Sequence, residues 1–453
     1  MLWLSVFRMP DRELRLGELL LVAEAFAGGF YVAVSRGLFV PMLAYSGYSL
    51  ESISWVVLPA GLGGIALSAA IFRRSEAVTG RFRALLLSSH LLERVLWLSP
   101  PFLIQWLAAE AAVYALGNVF SLLTGLLLGV LIFSYFPSEG DVVRVSVRRS
   151  AAGAAASLLG ALFMTYLPTV MEPPTVYYVL YLTAFAMGLV STATLLLVPR
   201  MPSRVEELPR AAGGVQEEAM VKGVNAYLVL VLMNAGGNLV GLAWSPLLRR
   251  LNAPLYVPLA LSLAGNLGSL LGSFAWRSYR AYLAAMAANT LLTAVIPFVR
   301  VPEVHPLISL MTSSTFMGAN LLGMQLFAQL SGRLGRVKAS VFSTSAGYLG
   351  LLLSTAFSIA VRAPPDVALL AAALFKLLAV VVAMLAIPET AVVPERRVYE
   401  YSRLIYSTSL YGYTFTVQAS REFLRTMLEM LATVALVTLI YLVYRLTALL
   451  AGV

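Results

Sequence analysis

Residues 17–45 read GELLLVAEAFAGGFYVAVSRGLFVPMLAY, and residues 223–248 read GVNAYLVLVLMNAGGNLVGLAWSPLL. Each run exceeds the ~20 residues that carry an α-helix across a ~30 Å hydrocarbon layer. Each holds Ala-Gly-Gly, at Ala27-Gly28-Gly29 and Ala235-Gly236-Gly237, with a proline near its far end, Pro41 and Pro246. One pattern appearing in both halves of a chain implies a duplicated unit, so the other apolar runs are expected to sort into two sets.

Apolar runs fall at 17–45, 52–72, 84–107, 111–136, 150–167 and 175–198, then at 223–248, 255–276, 281–299, 306–329, 340–361 and 367–387. The polar stretch 199–222, with Glu206, Glu207, Glu217, Glu218 and a Gly213-Gly214 pair, divides them. Laying Ser150 on Ser340 puts Arg148-Arg149 over Lys338-Ala339, Leu159 over Leu349, Gly160 over Gly350 and Leu162 over Leu352, so the fifth run repeats in the eleventh. The expected fold is an all-α integral membrane protein with two pseudo-symmetric six-helix bundles around a central cavity. Its parts are an N-terminal segment 1–16, bundles at 17–198 and 223–387 joined by the linker 199–222, a tail 388–428, and a thirteenth, C-terminal transmembrane helix within 429–453.

Composition agrees. Of 453 residues, 60% are hydrophobic and 12% charged, with a mean hydropathy of +0.84, which excludes a water-soluble enzyme. There is no cysteine, so disulfides, thiolate metal sites and cysteine nucleophiles are excluded. The only histidines are His90 and His305 and the only aspartates Asp11, Asp141 and Asp366, far apart, so no metal centre, catalytic triad or cofactor is expected. No phosphate-binding loop is present, which argues against ATP-driven pumping.

The net charge of +10 reads as basic loops flanking membrane spans rather than as a nucleic-acid surface. With the N-terminus placed inside, 24 of the 32 basic residues fall in inner segments, and only Arg249, Arg250, Arg300 and Arg362 in outer loops. Arg36, Arg94, Lys376 and Arg445 fall within spans. The expected location is the cell membrane, N-terminus cytoplasmic and, if the thirteenth run crosses, C-terminus outside. The first seven residues are too short for a signal peptide and are followed by Arg8, Asp11, Arg12, Glu13 and Arg15.

Segment 41–53, PMLAYSGYSLESI, with Gly61, Gly63 and Gly64 after it, resembles the end of the first span and the second span of the major facilitator superfamily of secondary transporters. Segment 265–272, GNLGSLLG, resembles that family's eighth span. The family's signature loop between spans two and three is similar to what Arg73, Arg74, Gly80, Arg81 and Arg83 supply, although its aspartate is missing and Glu76 is out of register. In the second half Arg277 and Arg280 remain, with Trp276 and Tyr279 where Asp and Gly would stand. The resemblance implies alternating access to a midplane site lined by the first, fourth, seventh and tenth spans.

Helix periodicity supplies candidates on those four spans, because positions three, four, seven and eleven apart share a face. The faces are Glu24, Gly28, Tyr31 and Ser35; Tyr114, Asn118, Ser121 and Gly125; Asn234, Asn238, Gly241 and Ser245; and Ser314, Gly318, Gln325 and Gln329. Small residues on such faces equally serve close helix packing. Charges at membrane depth cost about 2.5–3.5 kcal/mol on insertion scales and point to function by default. Glu24 is the expected proton-coupling group, and Arg36 is suited to an anionic substrate group. His90, Glu93 and Arg94 form an intramembrane cluster whose plainer reading is a structural ion pair, and Lys376 has a plainer reading as a snorkelling cation.

The expected activity is therefore secondary active transport of a small solute, coupled to protons through Glu24, with solute, proton and the bilayer as partners. The alternative is a non-transporting sensor or scaffold that uses the tail, where Tyr399, Tyr401, Tyr406, Tyr411 and Tyr413 cluster.

Overall fold

The computed structural model describes residues 11–74, 78, 80–136, 138–203, 217–334, 336–387 and 389–391. The tail beyond Ala391, the thirteenth span and the core of the linker lie outside the described residues. The described chain is helical, with no strand. We number the twelve long helices α1 (Asp11–Tyr45), α2 (Leu50–Arg73), α3 (Phe82–Leu98), α4 (Leu107–Tyr135), α5 (Glu139–Tyr166), α6 (Thr175–Leu196), α7 (Glu217–Arg250), α8 (Tyr256–Ala275), α9 (Tyr279–Val295), α10 (His305–Leu334), α11 (Arg336–Val361) and α12 (Pro365–Ala386).

Eleven of these are long and apolar enough to cross a membrane. The remaining helix, α3, has 17 residues and is the one that carries His90, Glu93 and Arg94. It stops at Ser99 because Pro100 and Pro101 cannot donate to the preceding turn; they start a single separate turn, Pro100–Leu103, instead. Helix α4 then begins ahead of the expected 111, which brings Glu110 into its first turn. Serines set other starts: the Ser49, Ser138 and Ser278 side chains accept from the backbone N–H of Ser52, Asp141 and Ala281. Ser138 starts α5 well ahead of the expected 150, so Arg144, Arg148 and Arg149 are helical rather than in a loop. They are held there by acids on α1, with Arg148 2.6 Å from Glu18 and Arg149 2.7 Å from Glu24.

Packing repeats between the halves. In the first, α1 packs on α5 and α6, and α4 on α2 and α3; in the second, α7 packs on α11 and α12, and α10 on α8 and α9. Gly160 of α5 lies against α1, where an added Cβ would stand 3.0 Å from the Phe30 carbonyl. Gly350 of α11 lies against α7, where a Cβ would stand 2.7 Å from the Ala235 nitrogen. The repeated glycine therefore does the same work twice, letting two backbones approach.

The bundles join through α2 on α11 and α5 on α8, themselves a symmetric pair of contacts. One apolar core at the α1–α2 hairpin end draws on both halves, including Leu43, Ile53, Leu247 and Leu259. At the opposite end the cores centre on Phe82 and Leu127 in the first bundle and on Met233 and Met286 in the second, with Val341 of α11 reaching across into the first. Polar pins close the hairpin end: Arg249 donates to the Ala44 carbonyl at 2.8 Å, Tyr45 to that of Ala253 at 2.7 Å, and Ser54 to Ser358 at 2.9 Å. Glu51 and Arg362 add an exposed ion pair at 3.5 Å.

Candidate functional site

Two cavities meet along α7. The first, about 350 Å³, lies between the bundles and is lined by Arg36 and Val40 of α1, Tyr114 of α4, Asn238 and Ser245 of α7 and Leu351 of α11, among others. The second, about 290 Å³, reaches into the second bundle between α7, α8, α9, α10 and α12. Gly237, Asn238, Gly241 and Trp244 line both, so one stripe of α7 forms the shared wall. Together they match the lower range of small-molecule sites, ~300–1,000 Å³.

The first cavity is edged by a charge network built on Glu93 of α3. One Glu93 oxygen lies 2.7 Å from Arg36 and the other 2.6 Å from Arg94. Arg36 also donates to the Ser121 hydroxyl, and its guanidinium stands 6.0 Å from the Trp97 ring. Arg94 stacks 4.7 Å above the Tyr31 ring, whose hydroxyl donates to the Glu93 carbonyl at 3.2 Å. Glu93 and Arg94 are buried, whereas the Arg36 side chain keeps 35% of its surface exposed. Arg36 is thus the member of the network that a solute in the cavity can reach.

Behind it, inside the first bundle, is a second polar group. Glu24 is buried between Arg149 of α5 at 2.7 Å and His90 of α3 at 3.4 Å, with the Ser191 hydroxyl 3.4 Å away. Thr192 donates to the Gly188 carbonyl at 3.0 Å, so the Thr192 oxygen accepts from His90 Nδ1 at 2.8 Å. That assigns a proton to Nδ1 and turns Nε2 toward Glu24 and Ser191.

The sequence-derived faces divide. On α7 the face lines the cavities, with Asn234 and Asn238 at the second. On α4 Tyr114 lines the first, while Asn118 donates to the Tyr114 carbonyl at 2.8 Å and receives the Tyr348 hydroxyl on its own carbonyl at 3.1 Å. The α1 face of Glu24, Tyr31 and Ser35 instead points into its own bundle. Ser35 is fully buried and donates to the Tyr31 carbonyl at 2.7 Å; residues Arg36, Gly37, Val40 and Pro41, a step round the helix, meet the cavity. The α10 face packs on α9: a Cβ on Gly318 would stand 2.5 Å from the Ala285 Cβ, and Gln325 donates to the Tyr282 hydroxyl at 3.0 Å. Ser314 lies over the same helix, beside an apolar groove formed with Ala288 and Leu291. Thr312, Ser313 and Phe316 are the α10 residues that line the second cavity. The side chain of Gln329 lies outside the described residues.

Sequence reasoning missed Arg149, read as a loop charge, and Glu110, read as lying between spans. Glu110 is fully buried in α4, and neither of its carboxyl oxygens has a hydrogen-bond partner among the described residues. Asn289, which donates to the Thr312 carbonyl at 2.6 Å and to Thr315 at 3.0 Å, carried no sequence signal beyond being polar in an apolar run.

The sequence matches no family model and no curated protein. Solved structures do match. The crystal structure of the nucleoside transporter NupG aligns at a TM-score of 0.57 with 11% identity, over 82% of this chain and 97% of that one. The in meso crystal structure of the POT family transporter PepTSo aligns at 0.60 with 12% identity over 83% of this chain and 97% of that one. A bacterial homologue of the human lysosomal transporter Spinster, in an inward-facing and unoccupied conformation, aligns at 0.55 with 12% identity over 82% and 95%. At such identity the likeness is one of fold alone, and the fold is the one expected from the sequence, two six-helix bundles of the major facilitator type.

Proposed function

We propose that this chain is a secondary transporter that moves a small solute by alternating access. The observation that carries the reading is the pairing of a cavity between two six-helix bundles with closure at one end only. Arg249, Tyr45, Ser54 and Glu51 pin the hairpin end, while at the other the two cores are distinct and Val341 of α11 is the second-half residue that joins the first bundle's core. Beyond Ser121, the cavity face of α4 continues into Gly125 and Gly129, where an added Cβ would meet nothing within 4 Å. With the basic loops inside, this is an inward-facing state with the N-terminus cytoplasmic. The substrate groups in this reading are Arg36, Asn118, Ser121, Asn234 and Asn238.

Proton coupling in this reading belongs to Glu24, which makes the one carboxylate–imidazole contact among the described residues. A proton placed between Glu24 and His90 changes the charge that Arg149 sees, and so the tie between α1 and α5.

The absence of native cysteine makes the test direct. In proteoliposomes, counterflow of nucleosides, dipeptides and sugars is measured for the wild type and for Ser54→Cys/Ser358→Cys. Oxidation is expected to abolish counterflow and reductant to restore it; counterflow that survives the cross-link would falsify alternating access through this end. Glu24→Gln is expected to retain counterflow and lose uptake driven by a pH gradient. Gradient-driven uptake that is intact in this variant removes Glu24 from the coupling. A chain that moves no solute in any arm is the sensor or scaffold of the alternative reading.

A further inference from the structure

The second cavity contains a buried lysine with no acid beside it among the described residues. Lys376 sits in the middle of α12, 2% exposed. Its Nζ donates to the Thr293 hydroxyl at 2.8 Å and lies 5.7 Å from the centre of the Phe316 ring. No acid among the described residues forms an ion pair with it. Sequence alone shows why: within 223–387 the only acids are Glu303 and Asp366, at helix ends, and Asp366 pairs with Arg250 at 2.9 Å. The lysine stem is accommodated on purpose, because a Cβ on Gly236 would stand 2.6 Å from its Cγ. An ammonium has three donors, and one is used. A buried charge without a counter-ion is costly. Of the remaining walls, Asn289 and Thr312 spend their donors on α10 carbonyls and Thr315. Asn234 and Asn238 each keep one amide hydrogen, and the Ser269 and Ser313 hydroxyls stand beside the cavity to donate to an anion.

We propose that the cavity lined by Asn238, Asn289, Thr312, Ser313, Phe316 and Lys376 is an anion subsite that takes a carboxylate or phosphate group of the carried solute. The cavity shares its α7 wall, Gly237, Asn238, Gly241 and Trp244, with the one edged by Arg36, so an anionic group held here lies beside the cavity between the two halves. The group belongs to a soluble molecule rather than to a lipid. Lys376 is about 16 Å along α12 from Pro365 at ~1.5 Å per residue, near mid-depth of the span, far from headgroups. The subsite rests on the transport reading for its role, but its occupancy is measurable without transport.

The experiment uses the full chain, purified in a neutral detergent, and follows thermal unfolding at fixed ionic strength and pH. The probes are acetate and inorganic phosphate, with acetamide as the neutral control and short-chain phosphatidylglycerol as the lipid arm. At least one soluble anion is expected to raise the midpoint by about 2 °C or more, as a ligand of the folded state does. Acetamide is expected to have no effect. The shift is expected to vanish in Lys376→Met and to persist in Lys376→Arg. Because each shift is read within one variant, a lower starting midpoint does not confuse it. No shift with either soluble anion, or a shift retained in Lys376→Met, overturns the proposal. A Lys376-dependent shift seen only with the lipid overturns it in favour of a headgroup site. Anion binding that stands while counterflow fails in every arm leaves the subsite in place and removes the transport reading.

Discussion

The two halves share a backbone plan and fill it with opposite chemistry. In the first bundle the interior holds acids and bases in contact: Glu93 with Arg36 and Arg94, Glu24 with Arg149 and His90. In the second, the corresponding third helix, α9, offers Asn289, Thr290 and Thr293, and among the described residues Lys376 is the one buried charged side chain. Duplication explains the common glycine contacts of Gly160 and Gly350, but nothing in it demands that the charges be kept. Glu110 apart, the buried charges of the first half pair with one another, whereas Lys376 of the second has no ion-pair partner among the described residues.

The sharpest way to break that comparison is to remove the hub of the first half. Glu93→Leu leaves Arg94 buried without a counter-ion and frees Arg36 from its best partner. Truncating one side of a buried ion pair costs about 3–5 kcal/mol, so a large fall in the thermal midpoint of the purified protein is expected. Glu93→Gln, which still accepts hydrogen bonds, is expected to fall less. Equal midpoints for the wild type and Glu93→Leu would mean that the network does not hold the bundle together.

A smaller effect tests what the halves have in common. Gly350→Leu drives a side chain into the α7 backbone at Ala235, and Gly160→Leu drives one toward the Phe30 carbonyl of α1. Overpacking of this kind costs about 1–3 kcal/mol, with Gly350→Leu expected to be the worse, because its Cβ would stand at 2.7 Å rather than 3.0 Å. Two falls of similar size, read by thermal unfolding, support equivalent roles for α5 and α11. A fall in one variant only would show that the repeat has diverged in packing as well as in charge.

Much of this plan was legible in the residues, and the failures have physical causes. Long apolar runs announce helices because only a helix satisfies its own backbone in lipid, which is why twelve runs reappear as twelve helices. The reading slipped where charge was taken to mean loop. Arg149 looked like the end of a loop because its partner Glu24 is on another helix, a contact that one-dimensional pattern does not contain. The polar faces slipped for a related reason. Period fixes which residues share a side of α1 or α10, but not whether that side meets the cavity or a neighbouring helix of its own bundle. On α7 the polar face lines the cavities, and on α4 Tyr114 does; on α1 the step from Ser35 to Arg36 separates a fully buried hydroxyl from a cavity-lining guanidinium.

The smallest expected effect is the one that sharpens the comparison most. Lys376→Met replaces a buried ammonium by an apolar side chain of similar length that can rest on Gly236 and Phe316 as the lysine stem does. It loses the hydrogen bond to Thr293, a net contribution of about 0.5–1.5 kcal/mol, and it removes the desolvation cost of a charge with no counter-ion. The two terms oppose each other, so without ligand the thermal midpoint is expected to stay level or rise, in contrast to the fall for Glu93→Leu. A midpoint that drops as far as it does for Glu93→Leu would make Lys376 a structural tie like the charges of the first half. The halves would then differ in the sign of their charges rather than in their purpose. A level or raised midpoint means that the fold does not need the lysine, and a charge kept in a membrane interior against its own cost, where the fold does not need it, is there for what binds beside it.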